Sequence, residues 1–181
     1  MRRWLTLRHF IAAAILVAIG GPIVVFVYVK SGIFDVAAAK PHSRLVEWVT
    51  HETMINSIKR RAPDVALPDE VSVSQAKRGF CAYEAHCGAC QGAPAVAREQ
   101  WVNGLNPEPP YLLDATHLWK PRELEWIVRN GIKMTGMPAW RDTLSEQQID
   151  DVVAYLEAMP QMPPQTYLRW RGAKVCTHIG G

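Results

Sequence analysis

The stretch Tyr83-Glu84-Ala85-His86-Cys87-Gly88-Ala89-Cys90-Gln91-Gly92-Ala93-Pro94 decides how this chain of 181 residues is interpreted. Cys87 and Cys90 are three positions apart, so a helical turn directs both sulfurs into one small volume. Such a pair suits two thioether bonds to a porphyrin, one zinc ion or one disulfide. The haem attachment signature is Cys-x-x-Cys-His, and Gln91 stands where that signature has its histidine. The stretch therefore carries two attachment thiols without the usual iron ligand.

The charge of the chain is concentrated at its N-terminus. Arg2, Arg3 and Arg8 account for the net charge of +3, and residues 30–181 carry 17 basic and 17 acidic side chains. No basic run or patch is visible, so we expect no nucleic-acid partner. No nucleophile–base pair and no paired carboxylates are recognisable either. We therefore expect that the chain does not perform substrate chemistry on its own.

Residues 10–29 contain no charged side chain and are almost wholly apolar. About 20 such residues span a bilayer core as a helix. The alternative is a cleaved signal peptide, whose apolar region is usually roughly 7–15 residues long, with residues 36–39 as the cleavage site. Three arginines lie in residues 1–9 and Lys30 follows the span, so the positive-inside rule places the N-terminus in the cytoplasm. We predict a single-pass protein of the bacterial inner membrane with its main domain in the periplasm, where disulfides form.

Residues 30–71 are predicted to connect this span to a compact domain. Within them, residues 42–62 have apolar side chains at helical spacing between two prolines. The positions at this spacing are Leu45, Val49, Glu52, Ile55 and Ile58, of which all but Glu52 are apolar, with Trp48 beside them. Such a helix is either a spacer lying near the membrane or a surface that binds a partner. Residues 63–73 are predicted to be an extended linker.

The compact domain is predicted at residues 72–160. It begins with a helix capped by Ser72 or Ser74, has a short helix at residues 121–130, and ends with a helix at Ser145–Met159 whose capping box is Ser145 and Gln148. Residues 94–119 are irregular but rich in large apolar groups, which would form either a pocket wall around something flat or ordinary core. These groups are Trp101, Leu105, Tyr111, Leu112, Leu113 and Trp119.

Met137 is the second candidate site residue. It follows Gly136, which permits close approach of the backbone to a ring, and it precedes Pro138, which stiffens the loop. A methionine thioether is a soft axial ligand that raises the potential of haem iron. A methionine in such a place also fits ordinary core packing.

Residues 72–160 resemble a class I cytochrome c domain. The resemblance covers about half of the chain and rests on residues 83–94, on the run Asn130-Gly131-Ile132-Lys133-Met134-Thr135-Gly136-Met137-Pro138-Ala139-Trp140, and on the capped final helix. It implies an all-α fold in which the first and last domain helices cross. It also implies haem c bound through Cys87 and Cys90, Met137 as the distal iron ligand, and Gln91 in the place of the proximal histidine.

With the apolar N-terminal segment, the chain is similar to membrane-tethered cytochrome subunits of bacterial electron-transfer complexes. The implied function is electron transfer within a larger membrane oxidoreductase of a respiratory chain. Three outcomes of the Gln91 replacement stay open. The haem remains attached, either five-coordinate through Met137 or with another histidine drawn in: His86, which precedes Cys87, or His117 or His178. Alternatively, the domain is a haem-free structural or assembly subunit with a Cys87–Cys90 disulfide. Finally, the glutamine is a recent or introduced change.

Cys81 and Cys176 lie outside the pattern of that family. We hypothesise a disulfide that ties the C-terminal extension, residues 161–181, to the first domain helix, which requires Cα atoms within about 7 Å. Two other uses of the cysteines are open. Cys81, His86, Cys87 and Cys90 together would make four zinc ligands. Cys87 and Cys90 would also form a thiol oxidoreductase motif, although no alternating strand–helix pattern surrounds them.

Overall fold

In this computed structural model, residues 2–62, 72–173 and 175–178 are described, the first five and the last two of these by their backbone alone. The chain divides into two compact units, Met1–Lys40 and Pro41–Gly181. The helices are α1 Arg2–Ser31, α2 Arg44–Arg61, α3 Val73–His86, α4 Gly88–Gln91, α5 Leu112–Ala115, α6 Pro121–Asn130, α7 Glu146–Ala158 and α8 Pro164–Gly172. Shorter 3-10 turns lie at Gln100–Gly104, Thr116–Leu118, Trp140–Asp142, Met159–Gln161 and Val175–His178. Within the described ranges the fold is all-α, without strands, as expected.

The first unit contains α1, whose segment Leu7–Ser31 is long and apolar enough to cross a membrane. Its 25 residues correspond to about 37 Å of helix, more than the roughly 30 Å of a bilayer core. Pro22 lies inside the helix and is tolerated, as prolines are in spanning helices. By length and composition, α1 is a candidate single-pass membrane anchor, and a signal sequence would show the same features.

The second unit is built on the contact between α3 and α7, which is the most extensive one between the described helices. The two helices meet at Gly79, where a Cβ atom would lie 1.8 Å from the Asp151 carbonyl oxygen. Glycine is therefore required at this crossing. Phe80 on α3 is fully buried and packs edge-on against the Tyr155 ring of α7, with ring centroids 5.9 Å apart. This crossing is the one that the resemblance implied.

Local sequence signals set the ends of the domain helices. The Ser145 hydroxyl accepts from the Gln148 N–H, and the Gln148 side chain accepts in return from the Ser145 N–H, which gives the expected capping box. Pro121 lies in the first turn of α6 and Gly131, at φ 64°, follows its last residue. The helix predicted at residues 121–130 thus has the observed limits. The linker predicted at residues 63–73 lies mostly outside the described residues.

The apolar stripe of α2 is only partly covered. Ile58, near the end of the helix, is buried, and α2 contacts α6. Leu45, Trp48 and Val49, in the first half of the helix, are exposed. Only one end of α2 therefore packs on the domain.

The C-terminal extension contains a helix, α8, although Pro163, Pro164 and the basic residues after them predict an irregular segment from the sequence. That prediction is wrong because proline is favoured in the first turn of a helix, and Pro164 begins α8. Tyr167 is fully buried, with its ring 5.5 Å from that of Phe80, whereas Leu168 remains 47 % exposed. The sequence also predicts that this extension docks through Tyr167, Leu168 and Trp170. Tyr167 and Trp170 do pack on the domain, whereas Leu168 takes little part.

A disulfide joins Cys81 on α3 to Cys176 in the last 3-10 turn, with the Cα atoms 5.3 Å apart. This separation lies inside the limit of about 7 Å that the hypothesis required. The bond ties the C-terminal extension to the first helix of the domain. Cys81 is therefore not a zinc ligand.

Candidate functional site

Cys87 and Cys90 are held by the junction of α3 and α4. Cys87 ends α3 by donating its N–H to the Tyr83 carbonyl, and the Cys90 N–H donates to the Cys87 carbonyl over 3.1 Å. Both side chains are partly buried and both thiols are unbonded. The Cys87–Cys90 disulfide expected for a haem-free domain is thus not formed in this structure. The pair presents two thiols, one turn apart.

The Cys87 thiol is poorly suited to thiol–disulfide exchange. Burial, with a smaller contribution from neighbouring Cys90, raises the pKa of Cys87 to about 12. A reactive cysteine needs a lowered pKa, because the thiolate is the nucleophile. The thiol oxidoreductase alternative is therefore disfavoured.

The segment after the cysteines is fixed by hydrogen bonds to α3 and to itself. The buried Tyr83 hydroxyl donates to the Gly92 carbonyl over 2.5 Å. Burial raises the Tyr83 pKa, so this hydroxyl stays a neutral donor. Ala93 and Val96 exchange N–H to carbonyl bonds of 2.9 Å in each direction. These bonds fix the turn that leads from the thiol pair into the irregular segment.

Gln91 is the last residue of α4, and its N–H donates to the Cys87 carbonyl over 3.0 Å. Its side-chain oxygen, Oε1, is buried and has no hydrogen-bond partner among the described residues. A buried acceptor left in this state costs about 1–3 kcal/mol. The residue at the position of the missing histidine thus carries an unsatisfied oxygen.

The loop that carries Met137 is closed by three hydrogen bonds. The Ile132 N–H donates to the Met137 carbonyl over 3.2 Å. The Thr135 hydroxyl donates to the Ile132 carbonyl over 2.7 Å and accepts from the Met137 N–H over 3.1 Å. Met137 is half-buried, whereas nearby Met134 is 92 % exposed. Of these two methionines, Met137 is the sheltered one.

Gly131 anchors the same loop to the end of α6. A Cβ atom on Gly131 would lie 2.6 Å from the Pro138 carbonyl oxygen, and the residue has a positive φ of 64°. No other amino acid fits this place without moving the loop. Pro138, which follows Met137, therefore packs closely against the C-terminal end of α6.

One ring contact joins the cysteine segment to the methionine loop. The His86 and Trp140 ring centroids are 5.0 Å apart. His86 directly precedes Cys87, and Trp140 is three residues beyond Met137. The structure thus brings the two predicted halves of the site into one neighbourhood.

The histidines weighed as substitute ligands are not sheltered. His86 and His117 are exposed, as are the other histidines whose side chains are described. The side chain of His178 lies outside the described residues. Among the side chains that the structure describes, no group of three or more His, Cys, Asp or Glu residues is arranged to hold a metal ion. With Cys81 in a disulfide, the four-ligand zinc alternative is wrong.

The irregular segment 94–119 is mixed in its burial. Trp101 and Tyr111, which we expected in a pocket wall, are 59 % and 44 % exposed. The other members of that predicted wall, Leu105, Leu112, Leu113 and Trp119, are partly buried. Leu105 reaches the methionine loop, since its Cδ1 atom lies 3.3 Å from where a Cβ of Gly136 would be.

Arg98 is a residue of this segment that sequence reasoning missed. Its side chain is 9 % exposed and pairs with Glu108, and Nη1 donates to the Pro109 carbonyl over 2.7 Å. Its Nε–H is buried without a partner in the described part of the chain, and so is Nε1–H of Trp140. The signal in the sequence was weak, because a single arginine in an irregular segment is usually solvated.

The comparisons with known proteins agree with this arrangement. Residues 74–156 match the family model described as cytochrome c oxidase, cbb3-type, subunit III. No curated protein and no solved structure matches the chain. The matched range runs from α3 to near the end of α7 and includes both cysteines and the methionine loop. Residues 74–156 thus match a cytochrome c-type domain, which follows an N-terminal apolar helix, and the match supports an electron-transfer role.

Proposed function

We propose that haem c is attached covalently to Cys87 and Cys90, and that the chain is a membrane-tethered electron-transfer subunit. The observation that supports the proposal most is the His86–Trp140 contact at 5.0 Å, since it joins the segment with the two thiols to the methionine loop within the matched domain. Met137 is the distal iron ligand in this proposal, because it is sheltered and its loop is closed by hydrogen bonds.

The residues present fit such a group in two further respects. Haem carries two propionate carboxylates, and the buried, unpartnered N–H groups of Arg98 and Trp140 are donors that suit carboxylate acceptors. The partly buried leucines of the irregular segment supply an apolar surface that excludes water. When bound, haem supplies reversible one-electron exchange between ferric and ferrous iron. The chain contributes attachment, one soft ligand and a water-poor surface, which together raise the potential.

The larger assembly and the orientation are inferred from sequence. Arg2, Arg3 and Arg8 lie in the first part of α1 and Lys30 in its last turn. With more positive charge at the N-terminal end, the positive-inside rule favours a domain on the periplasmic side of a bacterial inner membrane. The matched family is described as an oxidase subunit, and we assign the chain to a larger membrane oxidoreductase complex. The exposed side chains of Leu45, Trp48 and Val49 on α2 are the surface that we assign to a partner in it.

In residue limits, the proposal has five parts. They are a cytoplasmic N-terminus at 1–9, a membrane span at 10–29, a connecting helix and linker at 30–71, the cytochrome c-like domain at 72–160 and an extension at 161–181.

A second candidate function is that of a haem-free structural or assembly subunit. Gln91 favours it, because a carboxamide is a poor substitute for a histidine ligand. In this case the domain would keep its fold for docking and would carry no electrons.

Haem staining separates the two functions. The full-length chain is produced together with the haem-attachment machinery of a bacterial periplasm, and purified in detergent. An electron carrier gives a Soret band and a haem stain that survives denaturing electrophoresis, and both are lost in a Cys87→Ala/Cys90→Ala variant.

Met137→Ala should lower the reduction potential, whereas Met134→Ala, at an exposed position on the same loop, should not. Unstained wild-type protein would favour the structural subunit.

A further inference from the structure

We infer that Gln91 leaves the iron position on the cysteine side weakly held, so that small neutral nitrogen-donor ligands from solution bind there. This inference rests on the proposed function, since it concerns the haem-loaded protein. The binding of such ligands would be a second activity of the same site, in addition to electron transfer.

The backbone holds Gln91 in the place where the attachment signature has histidine. The Gln91 N–H donates a hydrogen bond to the Cys87 carbonyl, which makes Gln91 part of the short helix that follows Cys87 and contains Cys90. This hydrogen bond fixes the backbone from which the Gln91 side chain extends. Because Oε1 is buried and unpartnered, the structure leaves that oxygen without a competing hydrogen bond in the described residues.

The chemistry of the donor decides the strength of the bond. Carbonyl oxygens suit magnesium, calcium and manganese, whereas imidazole nitrogen suits iron. A glutamine oxygen is therefore a weak axial donor, and a stronger nitrogen base displaces it.

The exposure of the described histidines does not favour any of them as a substitute for Gln91. The histidines whose side chains are described are exposed, and His86, next to Cys87, has its ring against that of Trp140. Met137, the other proposed iron ligand, is better held, because three hydrogen bonds close its loop and Gly131 fixes the end of the loop. We therefore expect a ligand from solution to bind in place of Gln91 and not in place of Met137.

Imidazole is the probe that tests this inference. Ferric, haem-loaded, full-length protein in detergent is titrated with imidazole and followed by visible absorption and electron paramagnetic resonance. We expect a high-spin spectrum that becomes low-spin as imidazole binds. Gln91→His should be low-spin without imidazole. Its dissociation constant for imidazole should be larger than that of the wild type by about tenfold or more. Gln91→Ala should stay high-spin and bind imidazole at least as tightly as the wild type.

Gln100→His is the matched control, since it makes the same change at an exposed position 9 residues further on. Its spectrum and imidazole affinity should equal those of the wild type. A low-spin wild-type spectrum in the absence of imidazole would overturn the inference and leave the electron carrier standing. The same holds if Gln91→His and wild type bind imidazole equally. Wild-type protein without haem would overturn both proposals.

Discussion

The α3–α7 crossing and the cysteine–methionine site differ in how their polar groups are satisfied. At the crossing, the buried Asp151 carboxylate accepts two hydrogen bonds from Arg78, both of 2.8 Å. At the site, buried atoms of Gln91, Arg98 and Trp140 lack partners in the described chain, and two thiols are unbonded. The crossing has one such atom, the Tyr155 hydroxyl. The difference agrees with the proposal that the site receives a bound group, whereas the polar groups of the crossing are mostly satisfied within the protein.

The largest expected effect comes from Gly79→Ala. The new methyl carbon would lie 1.8 Å from the Asp151 carbonyl oxygen and 2.7 Å from the Tyr155 Cβ atom. Both belong to α7, close to its backbone, so the helices must separate. We expect the free energy of unfolding to fall by about 3 kcal/mol. Urea unfolding of the full-length chain in detergent, followed by tryptophan fluorescence, measures this loss.

Two other glycines serve as controls for this comparison. A Cβ atom on Gly172 of α8 meets nothing within 4 Å, so Gly172→Ala should be neutral or stabilising by up to about 1 kcal/mol. Gly136→Ala, in the methionine loop, meets only the end of the Leu105 side chain at 3.3 Å, and should cost less than about 1 kcal/mol. If Gly79→Ala is as mild as these, the crossing does not dominate stability.

Arg78→Ala is expected to have the next largest effect. It removes both bonds to Asp151, whose side chain is 3 % exposed and keeps a bond of 3.1 Å from Gln147. Leaving a buried carboxylate short of partners should lower the free energy of unfolding by about 2 kcal/mol. The same urea titration measures it.

The control for this prediction is Arg141→Ala, because Arg141 and Asp142 form a pair of 3.9 Å with both side chains exposed. Exposed pairs contribute little, so the change should be below about 0.5 kcal/mol. Equal losses for Arg78→Ala and Arg141→Ala would show that the crossing gains nothing from its ion pair.

The smallest predicted effect is a pH dependence at Glu157 on α7. Burial raises the pKa of Glu157 above its ordinary value. The Glu157 carboxyl therefore binds a proton more readily in the folded protein than in the unfolded chain. As a result, the contribution of Glu157 to stability improves as the pH falls through its raised pKa. Glu157→Gln should stabilise the protein at pH 7, by less than about 0.5 kcal/mol because the group is half-exposed.

Urea titrations of wild type and Glu157→Gln at pH 7 and near pH 4 measure this dependence. The advantage of the variant should shrink at the lower pH, because the wild-type carboxyl is then largely protonated. An advantage that grows with falling pH would contradict the direction of the pKa shift.

The parts of the fold predicted correctly depend on neighbours in the chain. The start of α7 follows from Ser145 and Gln148, and the limits of α6 follow from Pro121 and Gly131. Helix α8 was not predicted, because adjacent prolines and basic residues are also typical of an irregular segment. The exposure of Trp101 and Tyr111 also could not be foreseen, since large aromatic residues in an irregular segment pack or stay exposed according to what lies beside them.

The candidate site divides in the same way. The thiol pair and the Gln91 replacement were predicted from the Cys-x-x-Cys motif, and Met137 from its neighbours Gly136 and Pro138 and from the family resemblance. Their roles at the site stay predictions. Arg98 and Trp140 came only from the structure, because an unpartnered N–H is recognised when all of its neighbours are known.

The sequence by itself determined the helix limits set by caps, the spacing of the two thiols and the uncharged N-terminal segment, because each depends on residues only a few positions apart. Only the tertiary structure decided that Gly79 must be glycine, that Tyr167 is buried and that the ring of His86 lies against Trp140. These facts depend on atoms far apart in the chain, and backbone approach and burial are set by packing between helices rather than by the sequence around any one residue.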